Sequence, residues 1–416
     1  MGLKNFRLNL KKVLISMKIC MLAPEFLPTW GGVGAYIVEL VRHLPKETEI
    51  HVLTPWRTCL GSSTISTSDY DFSQYFGPNV RVHFISKASD TFVYNFSFQY
   101  ACARVVPKLV KEEGIDLLHS HTAHMSDLML QFRKMKIPIV TTIHTTIEGQ
   151  REGAKNSGLP FSGLEASERW TYLTYPFLRL AEITYFLKRR NYITVSYWMK
   201  NQVEKKYPLL KNSIRVVHNA IDTTRFSPGQ RRSDRKTVLF TGRLISAKGI
   251  RHIVDAIPSV LRSFPKTYFL FIGSGDASPY ERKLKDLEIP QENYKFLGYL
   301  KESNDLVKYY QESSIYVAPT MYENLPTRVL EAMACGTPTI ASNVCGIPEA
   351  VHDGENGLLV QPGSTKQLAN GICRLLGDSG YLLKLGQNAR ATILNEFDWR
   401  VSATKIANIY EQVSSG

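Results

Sequence analysis

Short apolar runs alternate with stretches of helical spacing through the first half of the chain. The apolar runs occupy residues 17–24, 50–53, 80–84, 117–119, 137–142, 192–196 and 214–218. Helical spacing appears between most of them, as in residues 34–44. Continuous apolar strands separated by helices are typical of a parallel sheet that is covered on both faces. This half of the chain is therefore predicted to form a doubly wound α/β domain.

The same alternation starts again after residues 225–236, a polar and basic segment that we interpret as an interdomain linker. Apolar runs at 238–241, 268–272, 294–296, 315–318 and 339–342 alternate with helical spacing at 250–264, 304–312, 327–334 and 365–376. The sequence thus predicts two Rossmann-like domains, 17–224 and 237–397, with a ligand cleft at the carboxyl ends of their strands. The final segment, 398–416, is expected to form a helix that returns to the first domain.

Length and composition fit two globular domains without a membrane span. The chain has 416 residues, of which 44% are hydrophobic and 21% are charged. No stretch approaches the roughly 20 apolar residues that cross a bilayer. The six cysteines are scattered without a CxxC spacing, which argues against a metal knuckle or a disulfide framework and favours a reducing, cytoplasmic location. Residues 1–16 are basic and precede a second methionine, Met17, so we interpret them as an N-terminal extension rather than an anchor.

The net charge of +14 indicates an anionic partner without identifying it. Phosphate-bearing ligands, anionic membranes and nucleic acid all attract such a chain, but no nucleic-acid recognition motif is present, so no nucleic-acid partner is expected. The first domain carries basic residues at 134, 188–190, 200 and 205–206, interleaved with aromatic residues at 170, 172, 175, 177 and 186. A surface of this composition fits peripheral docking on the anionic inner face of the cell membrane. The alternative is a core-facing helix over residues 168–190 with solvated charges beyond it.

The most specific chemical pattern is segment 323–338, ENLPTRVLEAMACGTP. Glu323 precedes the predicted helix, and Glu331 lies one turn inside it. The free amides of the loop and of the helix N-terminus form an anion site suited to a pyrophosphate. Glu331 can then accept hydrogen bonds from ribose hydroxyls. The predicted donor-binding residues of the segment are Asn324, Leu325, Pro326 and Glu331.

Segment 323–338 resembles the Glu-x7-Glu signature of the family-four retaining glycosyltransferases, which include phosphatidylinositol mannosyltransferases and sucrose and trehalose synthases. The resemblance continues through residues 341–360, departs at Cys345, where the family usually has glycine, and extends from Met17 to about Tyr410. It implies the GT-B fold and a transferase of the EC 2.4 class. Such an enzyme moves a hexose from a UDP- or GDP-hexose to a lipid-linked or saccharide acceptor with retention of configuration. The resemblance also implies front-face attack, in which Glu323 positions the hydroxyls of the donor sugar.

A second matching segment is GRLISAKG, residues 242–249. It is similar to the family's Gly-Arg…Lys-Gly segment, which implies that Arg243 and Lys248 hold the donor pyrophosphate. Cations placed there in advance stabilise negative charge that develops on the leaving group. Since they take over the role of a metal, no metal cofactor is expected. Residues 69–71 match the DxD pattern of metal-dependent transferases, but they lie in a polar loop, and we interpret the match as accidental.

The glycines Gly31, Gly32 and Gly34 are similar to the family's glycine loop, which approaches the donor phosphate. Thr29 and Trp30 stand where glycogen and starch synthases have a lysine, although a polymerase of that type stays an alternative. A sugar-nucleotide epimerase would also use two Rossmann-like domains, without needing both the Gly-Arg…Lys and the Glu-x7-Glu segments. An NAD-dependent dehydrogenase would require a GxGxxG pattern that the glycines do not form.

Two histidines follow predicted strands of the first domain. His144 comes after the apolar run 137–142, and the resemblance implies that it contacts the transferred sugar. His121 follows the run 117–119 and is expected near the acceptor. A zinc site is not expected, because no acidic or cysteine ligand recurs at suitable spacing.

Overall fold

The computed structural model describes residues 17–27, 32–57, 59–60, 63–64, 71–88, 91–122, 125–133, 135–156, 166–187, 190–229, 235–300 and 303–415. Among the residues and segments named in the sequence analysis, those that lie outside these ranges are the N-terminal segment 1–16, Thr29, Trp30, Gly31, residues 69–70, Lys134, residues 188–189, linker residues 230–234 and Gly416. Within the described part of the chain, no helix is both long and apolar enough to cross a membrane.

The first sheet has seven strands. They are β1 (Lys18–Leu22), β2 (Glu49–Arg57), β5 (Val80–Ala88), β6 (Leu117–His121), β7 (Ile139–Ile143), β8 (Asn191–Thr194) and β9 (Ile214–Val216). Their order is β5-β2-β1-β6-β7-β8-β9, and a separate antiparallel pair is formed by β3 (Cys59–Leu60) and β4 (Ser63–Thr64). The pairings β1–β2, β1–β6, β2–β5 and β8–β9 are parallel.

The helices that accompany this sheet in the sequence are α1 (Gly32–His43), α2 (Thr91–Glu113), α3 (Ile147–Asn156), α4 (Ala166–Phe186) and α5 (Tyr197–Lys206). A parallel strand cannot follow its neighbour through a hairpin, so helices fill most of these connections. The apolar runs of the sequence thus correspond to strands, and the stretches of helical spacing to helices.

The second sheet has six strands, all paired in parallel: β10 (Thr237–Thr241), β11 (Tyr268–Ile272), β12 (Tyr294–Gly298), β13 (Ile315–Ala318), β14 (Thr339–Ser342) and β15 (Leu358–Val360). Their order is β12-β11-β10-β13-β14-β15. The helices are α6 (Ile250–Ser263), α7 (Ser278–Asp286), α8 (Ser303–Glu312), α9 (Thr327–Ala334), α10 (Thr365–Gly377), α11 (Ser379–Glu396) and α12 (Trp399–Ser414). Two parallel sheets with interspersed helices confirm the predicted α/β class.

The centre of strand β10, residues 238–240, is apolar because both faces of the second sheet are buried. Val238 and Phe240 belong to one hydrophobic cluster and Leu239 to another. The first cluster includes Ile253 and Ile257 of α6 and Ile372 of α10, and the second includes Leu330 and Met333 of α9. Alternate residues of the strand thus enter different cores, as expected for a doubly covered parallel sheet.

By their internal contacts, the residues group into two compact units. The first comprises 1–120, 126–140 and 407–416, and the second comprises 121–125 and 141–406. In the first unit, Phe98 and Cys102 of α2 pack with Leu22 and Leu118 of the sheet. His119 Nδ1 also lies 2.5 Å from Tyr410 Oη on α12. The domain division at residues 225–236 stays a prediction.

Candidate active site

A short turn at the carboxyl end of the second sheet carries Lys248. The turn Ser246–Lys248 ends at Gly249, whose φ of +73° is left-handed. A Cβ on Gly249 would lie 1.9 Å from the carbonyl oxygen of Pro319, so only glycine fits beneath the loop that follows β13. Thr320 Oγ1 and Met321 N donate to the carbonyl of Ala247 at 2.9 Å and 2.8 Å and fasten that loop to the turn.

This packing brings Lys248 against Glu323, although the two are 75 residues apart. Lys248 Nζ donates to Glu323 Oε2, and each side chain is 26% exposed. Burial and the positive charges of Arg243 and Arg328 lower the pKa of Lys248 to about 7. The site therefore concentrates positive charge where burial makes it costly, which is the electrostatic setting of an anion-binding site.

Glu331, the second glutamate of the segment, is buried on α9. Its Oε2 accepts hydrogen bonds from Tyr310 Oη and Arg328 Nη1, both at 2.8 Å. Tyr310 Oη also lies 2.7 Å from Thr241 Oγ1, at the end of β10. A helix, a strand end and the Arg328 guanidinium thus fix the orientation of this carboxylate.

Asn324 joins the loop after β13 to the ends of β7 and β8. Its Nδ2 donates to the carbonyl of His144 at 3.1 Å, and its Oδ1 accepts from Ser196 Oγ. Asn219 Nδ2 donates to the carbonyl of the next residue, Leu325, at 2.6 Å. Three separate segments of the second unit therefore hold this loop, two through the side chain of Asn324 and one through the backbone of Leu325.

His121 and His144 meet at the ends of β6 and β7. His121 Nδ1 lies 3.0 Å from His144 Nε2, and the rings stack with centroids 5.2 Å apart. His121 is fully buried, whereas His144 is partly exposed. Since one nitrogen must donate and the other accept, the contact holds a single proton. Ligand contact at this pair therefore falls to His144.

The other predicted site residues lie as follows. Pro326 caps the N-terminus of α9, with φ and ψ of −73° and 124°. Arg243 is exposed directly after β10. Gly32 is exposed at the start of α1, with no atom within 4 Å of a hypothetical Cβ, and Gly34 is buried two residues further on. Gly31 lies outside the described residues.

The sequence reasoning did not single out Arg328 or Glu349. Arg328 donates to Glu331 at i,i+3 spacing, which was readable in the sequence. Glu349 accepts from the backbone amides of Tyr197 and Trp198 at 2.8 Å and 2.7 Å, at the N-terminus of α5. Its Oε2 also lies 2.9 Å from His218 Nε2. No local sequence signal links residues some 150 positions apart.

Cys345 is the position at which the chain departs from the family pattern. It has a φ of +51°, the left-handed conformation that glycine adopts without strain. The next residue, Gly346, packs against Asn324, since a Cβ there would lie 2.2 Å from the Asn324 carbonyl oxygen. A turn of this shape explains why glycine is the usual residue at position 345.

One group of metal-ligand atoms in the first unit lies outside this site. Ligand atoms of Glu49, His51 and Glu113 fall within 4.8 Å of one another. Glu49 is paired with Lys18 and Arg81 at 3.3 Å and 3.1 Å, and Glu113 is paired with Arg81 at 3.2 Å. The carboxylates are thus neutralised by cations, which disfavours a dication among them.

Two protein-family models match the chain. The model described as Glycosyltransferase Family 4 matches residues 30–225, and the model described as Glycosyl transferases group 1 matches residues 222–392. A glycogen synthase of Mycobacterium tuberculosis is 26% identical over 423 residues, which cover 96% of this chain and 96% of that protein.

Two solved structures share the fold. The sucrose-phosphate synthase of Thermosynechococcus elongatus aligns with a TM-score of 0.77 and 20% identity over 96% of this chain and 99% of that chain. HepE of Anabaena, solved in complex with UDP and glucose, aligns with a TM-score of 0.68 and 17% identity over 95% of this chain and 100% of that chain. With the family models matching consecutive parts of the sequence, the chain belongs to the group-1 glycosyltransferases of family four, which are EC 2.4 transferases of the GT-B fold.

Proposed function

We propose that the protein transfers a hexose from a UDP- or GDP-hexose to a hydroxyl of a lipid-linked or saccharide acceptor, with retention of configuration. The observation that carries this proposal is the placement of Lys248 against Glu323, with the charges of Arg243 and Arg328 acting on the same ammonium group. A nucleoside diphosphate is the leaving group of such a reaction, and this site offers it cations together with the amides of the N-terminus of α9.

In this proposal the donor diphosphate competes with Glu323 for Lys248. An ammonium group that pairs with phosphate oxygens releases the carboxylate, which becomes available to the hydroxyls of the donor sugar. Glu331, whose Oε2 is fixed by Tyr310 and Arg328, accepts hydrogen bonds from the ribose. The two glutamates therefore contact opposite ends of the donor.

The proposed reaction breaks the bond between the anomeric carbon and the β-phosphate oxygen. The acceptor oxygen forms the new bond on the same face of the sugar, and its proton passes to the departing phosphate. His144 contacts the transferred sugar, and His121 supports the imidazole ring of His144 from the acceptor side. Charge develops on the diphosphate as the bond breaks, so Arg243 and Lys248 stabilise the transition state more than the bound donor.

Relatives support a nucleotide-sugar donor. HepE is described in complex with UDP and glucose, and the M. tuberculosis relative is named a glycogen synthase. The similarity to a glycogen synthase favours one alternative function, a polymerase that extends an α-glucan. Thr29 and Trp30, in place of the lysine of glycogen and starch synthases, argue against it. The length of the product distinguishes the two, since a polymerase yields a ladder and a single transfer yields one product.

A screen of nucleotide sugars by thermal shift tests the donor. A true donor raises the melting temperature by mass action, and UDP-, GDP- and ADP-hexoses at the same concentration are compared with their sugar-free nucleotides. Transfer is then measured with the donor that binds, using glucan and lipid acceptors in parallel. No shift with any nucleotide in the wild-type chain would overturn the proposal.

We also propose that the reaction needs no metal and that the protein works on the cytoplasmic side of the membrane. Turnover with the donor found above should survive EDTA, because the cationic side chains carry the charge stabilisation. Complete loss of turnover on chelation, with recovery on adding manganese, would contradict the proposal that no metal is needed.

The proposed retention of configuration has its own test. The NMR coupling constant of the product's anomeric proton distinguishes retention from inversion.

A further inference from the structure

The loop that carries His144 leads directly into α3, and a buried glutamate of α4 holds the start of that helix. Glu182 is 4% exposed, and its Oε1 accepts a hydrogen bond from the backbone amide of Ile147 at 2.7 Å. Ile147 is the first residue of α3 and follows His144 by three positions. A contact between residues 35 positions apart therefore fixes the point at which the His144 loop ends.

The second carboxylate oxygen of Glu182 has two further donors. Oε2 accepts from Arg179 Nη1 at 2.8 Å and from Tyr207 Oη at 3.1 Å. Arg179 also donates to Tyr207 Oη, and its guanidinium carbon lies 5.3 Å from the centre of the Tyr207 ring. Because both oxygens are engaged, the carboxylate cannot turn without leaving a buried donor unpaired. Its orientation is thus set by α4 and by the residue at which α5 ends.

This carboxylate is more than an ordinary helix cap. Thr146 already caps α3 with a neutral side chain, since its Oγ1 accepts from the amide of Gly149 at 3.1 Å. Burial raises the pKa of Glu182, although the hydrogen bond from Ile147 and the charge of Arg179 act in the opposite direction. Keeping an ionisable group in such a place costs stability that a neutral cap would spare. The contact is therefore explained by where it holds the helix.

Close packing alone does not hold the His144 loop in place. A cavity of about 10 Å³, enough for one water molecule, separates parts of the loop from α4. Among the residues that line it are Thr122, Thr145, Thr146, Ile147 and Glu182. Side chains beside a gap lose part of their van der Waals contact. The position of the loop therefore depends strongly on the hydrogen bond between Ile147 and Glu182.

The first turn of α3 also contacts the loop that carries Glu323. A Cβ on Gly149 would lie 1.9 Å from Tyr322 Oη, so the tyrosine that precedes Glu323 packs directly on this turn. Asn324, which follows Glu323, donates to the carbonyl of His144 at 3.1 Å. A displacement of the first turn of α3 would therefore move both His144 and the Glu323 loop.

We propose that Glu182 is a positioning residue for the transfer reaction, holding the first turn of α3 so that His144 and Glu323 meet the donor sugar together. The inference rests on the proposed function, which assigns these two residues to that sugar. Glu182 itself touches neither donor nor acceptor. A shift of about 1 Å in a reacting group costs up to 10²-fold in rate, so the effect of Glu182 belongs to kcat. The affinity for the free nucleotide depends on Lys248 and Glu331, which Glu182 does not contact.

Glu182→Gln tests the proposal, because it keeps the volume of the side chain and replaces one acceptor oxygen by an NH₂ group. We expect kcat to fall on the order of tenfold or more, while the Kd for the free nucleotide stays within about twofold. Tyr207→Phe removes a single donor and should lower kcat less, and it tests the same network if Glu182→Gln does not fold. Circular dichroism and denaturant unfolding report the folded fraction.

Glu204→Gln is the matched control. Glu204 also accepts from a backbone amide, that of Asn212 at 3.2 Å, and lies 3.9 Å from the ammonium group of Lys200. Its partners belong to α5 and to the segment after it rather than to the His144 loop. This variant should keep the kcat of the wild type, and an equal fall of kcat in Glu182→Gln and Glu204→Gln would overturn the proposal.

The ring nitrogens of His144 give a second readout that needs no substrate. In protein labelled with ¹⁵N-histidine, the spectrum of His144→Gln identifies the signals of His144. These signals should move in Glu182→Gln, because the contact of His144 with His121 is disturbed, and should stay unchanged in Glu204→Gln. Signals that move while His144→Gln keeps full turnover would support the positioning and count against the sugar contact in the proposed function.

A purely structural role for Glu182 predicts a different result. The free energy of unfolding would fall, while kcat per folded molecule and the His144 signals would stay as in the wild type. That result would overturn the proposal. A loss of nucleotide affinity as large as the fall in kcat would also overturn it, because the effect would then lie at the diphosphate site.

Discussion

Glu323 and Glu331 carry the same side chain eight residues apart, yet the loop and the helix that bear them give the two carboxylates different surroundings. Glu323 lies in the loop after β13, is 26% exposed and contacts Lys248. Glu331 lies on α9, has a side chain that is 9% exposed and is held by Tyr310 and Arg328. A loop carboxylate paired with one lysine can exchange that partner for a ligand, whereas a buried carboxylate with two fixed donors is already oriented. In the proposed function, this difference assigns Glu323 to the reacting sugar and Glu331 to nucleotide binding.

The largest effect on turnover is expected when Lys248, the partner of Glu323, or the nearby Arg243 is removed. Lys248→Ala and Arg243→Ala each remove a cation from the leaving diphosphate and should lower the turnover rate on the order of 10²-fold or more. The measurement is steady-state transfer with the donor identified by thermal shift, and circular dichroism reports folding. Near-normal turnover in both folded variants would contradict the assignment of this site.

Replacing each glutamate by alanine separates their roles. Glu323→Ala should lower kcat strongly, because it removes contacts to the sugar hydroxyls, and Glu331→Ala should chiefly raise the Kd for the nucleotide, by about tenfold. Glu331→Ala should also cost about 1–3 kcal/mol of stability, since Arg328 and Tyr310 lose their buried acceptor. Isothermal titration with the free nucleotide and kinetics with the full donor distinguish the two patterns. If both variants changed kcat and the Kd in the same way, the different surroundings of the two glutamates would not give them different roles.

The lowered pKa of Lys248 predicts proton uptake on nucleotide binding. With a pKa of about 7, the group is largely neutral at pH 8, and an anionic diphosphate favours its charged form. Affinity should therefore fall as pH rises above 7, by up to tenfold per unit. Titration calorimetry in buffers of different ionisation enthalpy measures the uptake, and Lys248→Met should lack it.

The lowered pKa of Lys248 also determines the direction in which the free energy of unfolding changes with pH. Between pH 7 and 10.5 the unfolded chain, whose lysine titrates near 10.5, binds more protons than the folded chain, so the free energy of unfolding rises with pH across this window. Lys248→Met should flatten that rise. A wild-type stability that falls from pH 7 to pH 9, with no change in the variant, would contradict the shift.

The smallest effect is expected at Cys345, in the turn that supports Asn324. Cys345→Gly should stabilise the protein by roughly 0.5–1 kcal/mol, because it relieves a left-handed φ of +51° and the added freedom of the unfolded chain offsets only part of the gain. Cys345→Ala keeps the Cβ and should not stabilise. Denaturant unfolding of the three chains measures both, and equal stability of Gly and Ala would show that the turn is unstrained.

The sequence by itself determined the fold class and the segments of the candidate site. Apolar runs of strand length predict parallel strands because both faces of such a sheet are buried, and β10 shows this alternation between two cores. The Glu-x7-Glu and Gly-Arg…Lys segments are local patterns, so a single chain displays them. Helices such as α2 and α11 were less evident, because their hydrophobic positions are weakly periodic and α2 contains Pro107.

Only the tertiary structure decided which of these residues meet. The contact of Lys248 with Glu323 depends on Gly249 packing under Pro319, and the contacts of Asn324 with His144 and Ser196 span more than 120 residues. On α4, apolar residues lie on both faces, and the sequence could not tell that Phe186 is buried while Phe177 is exposed. Local spacing fixes the side of a helix on which a residue lies. The packing of distant segments fixes which side is covered, because burial is a property of the neighbours and not of the residue.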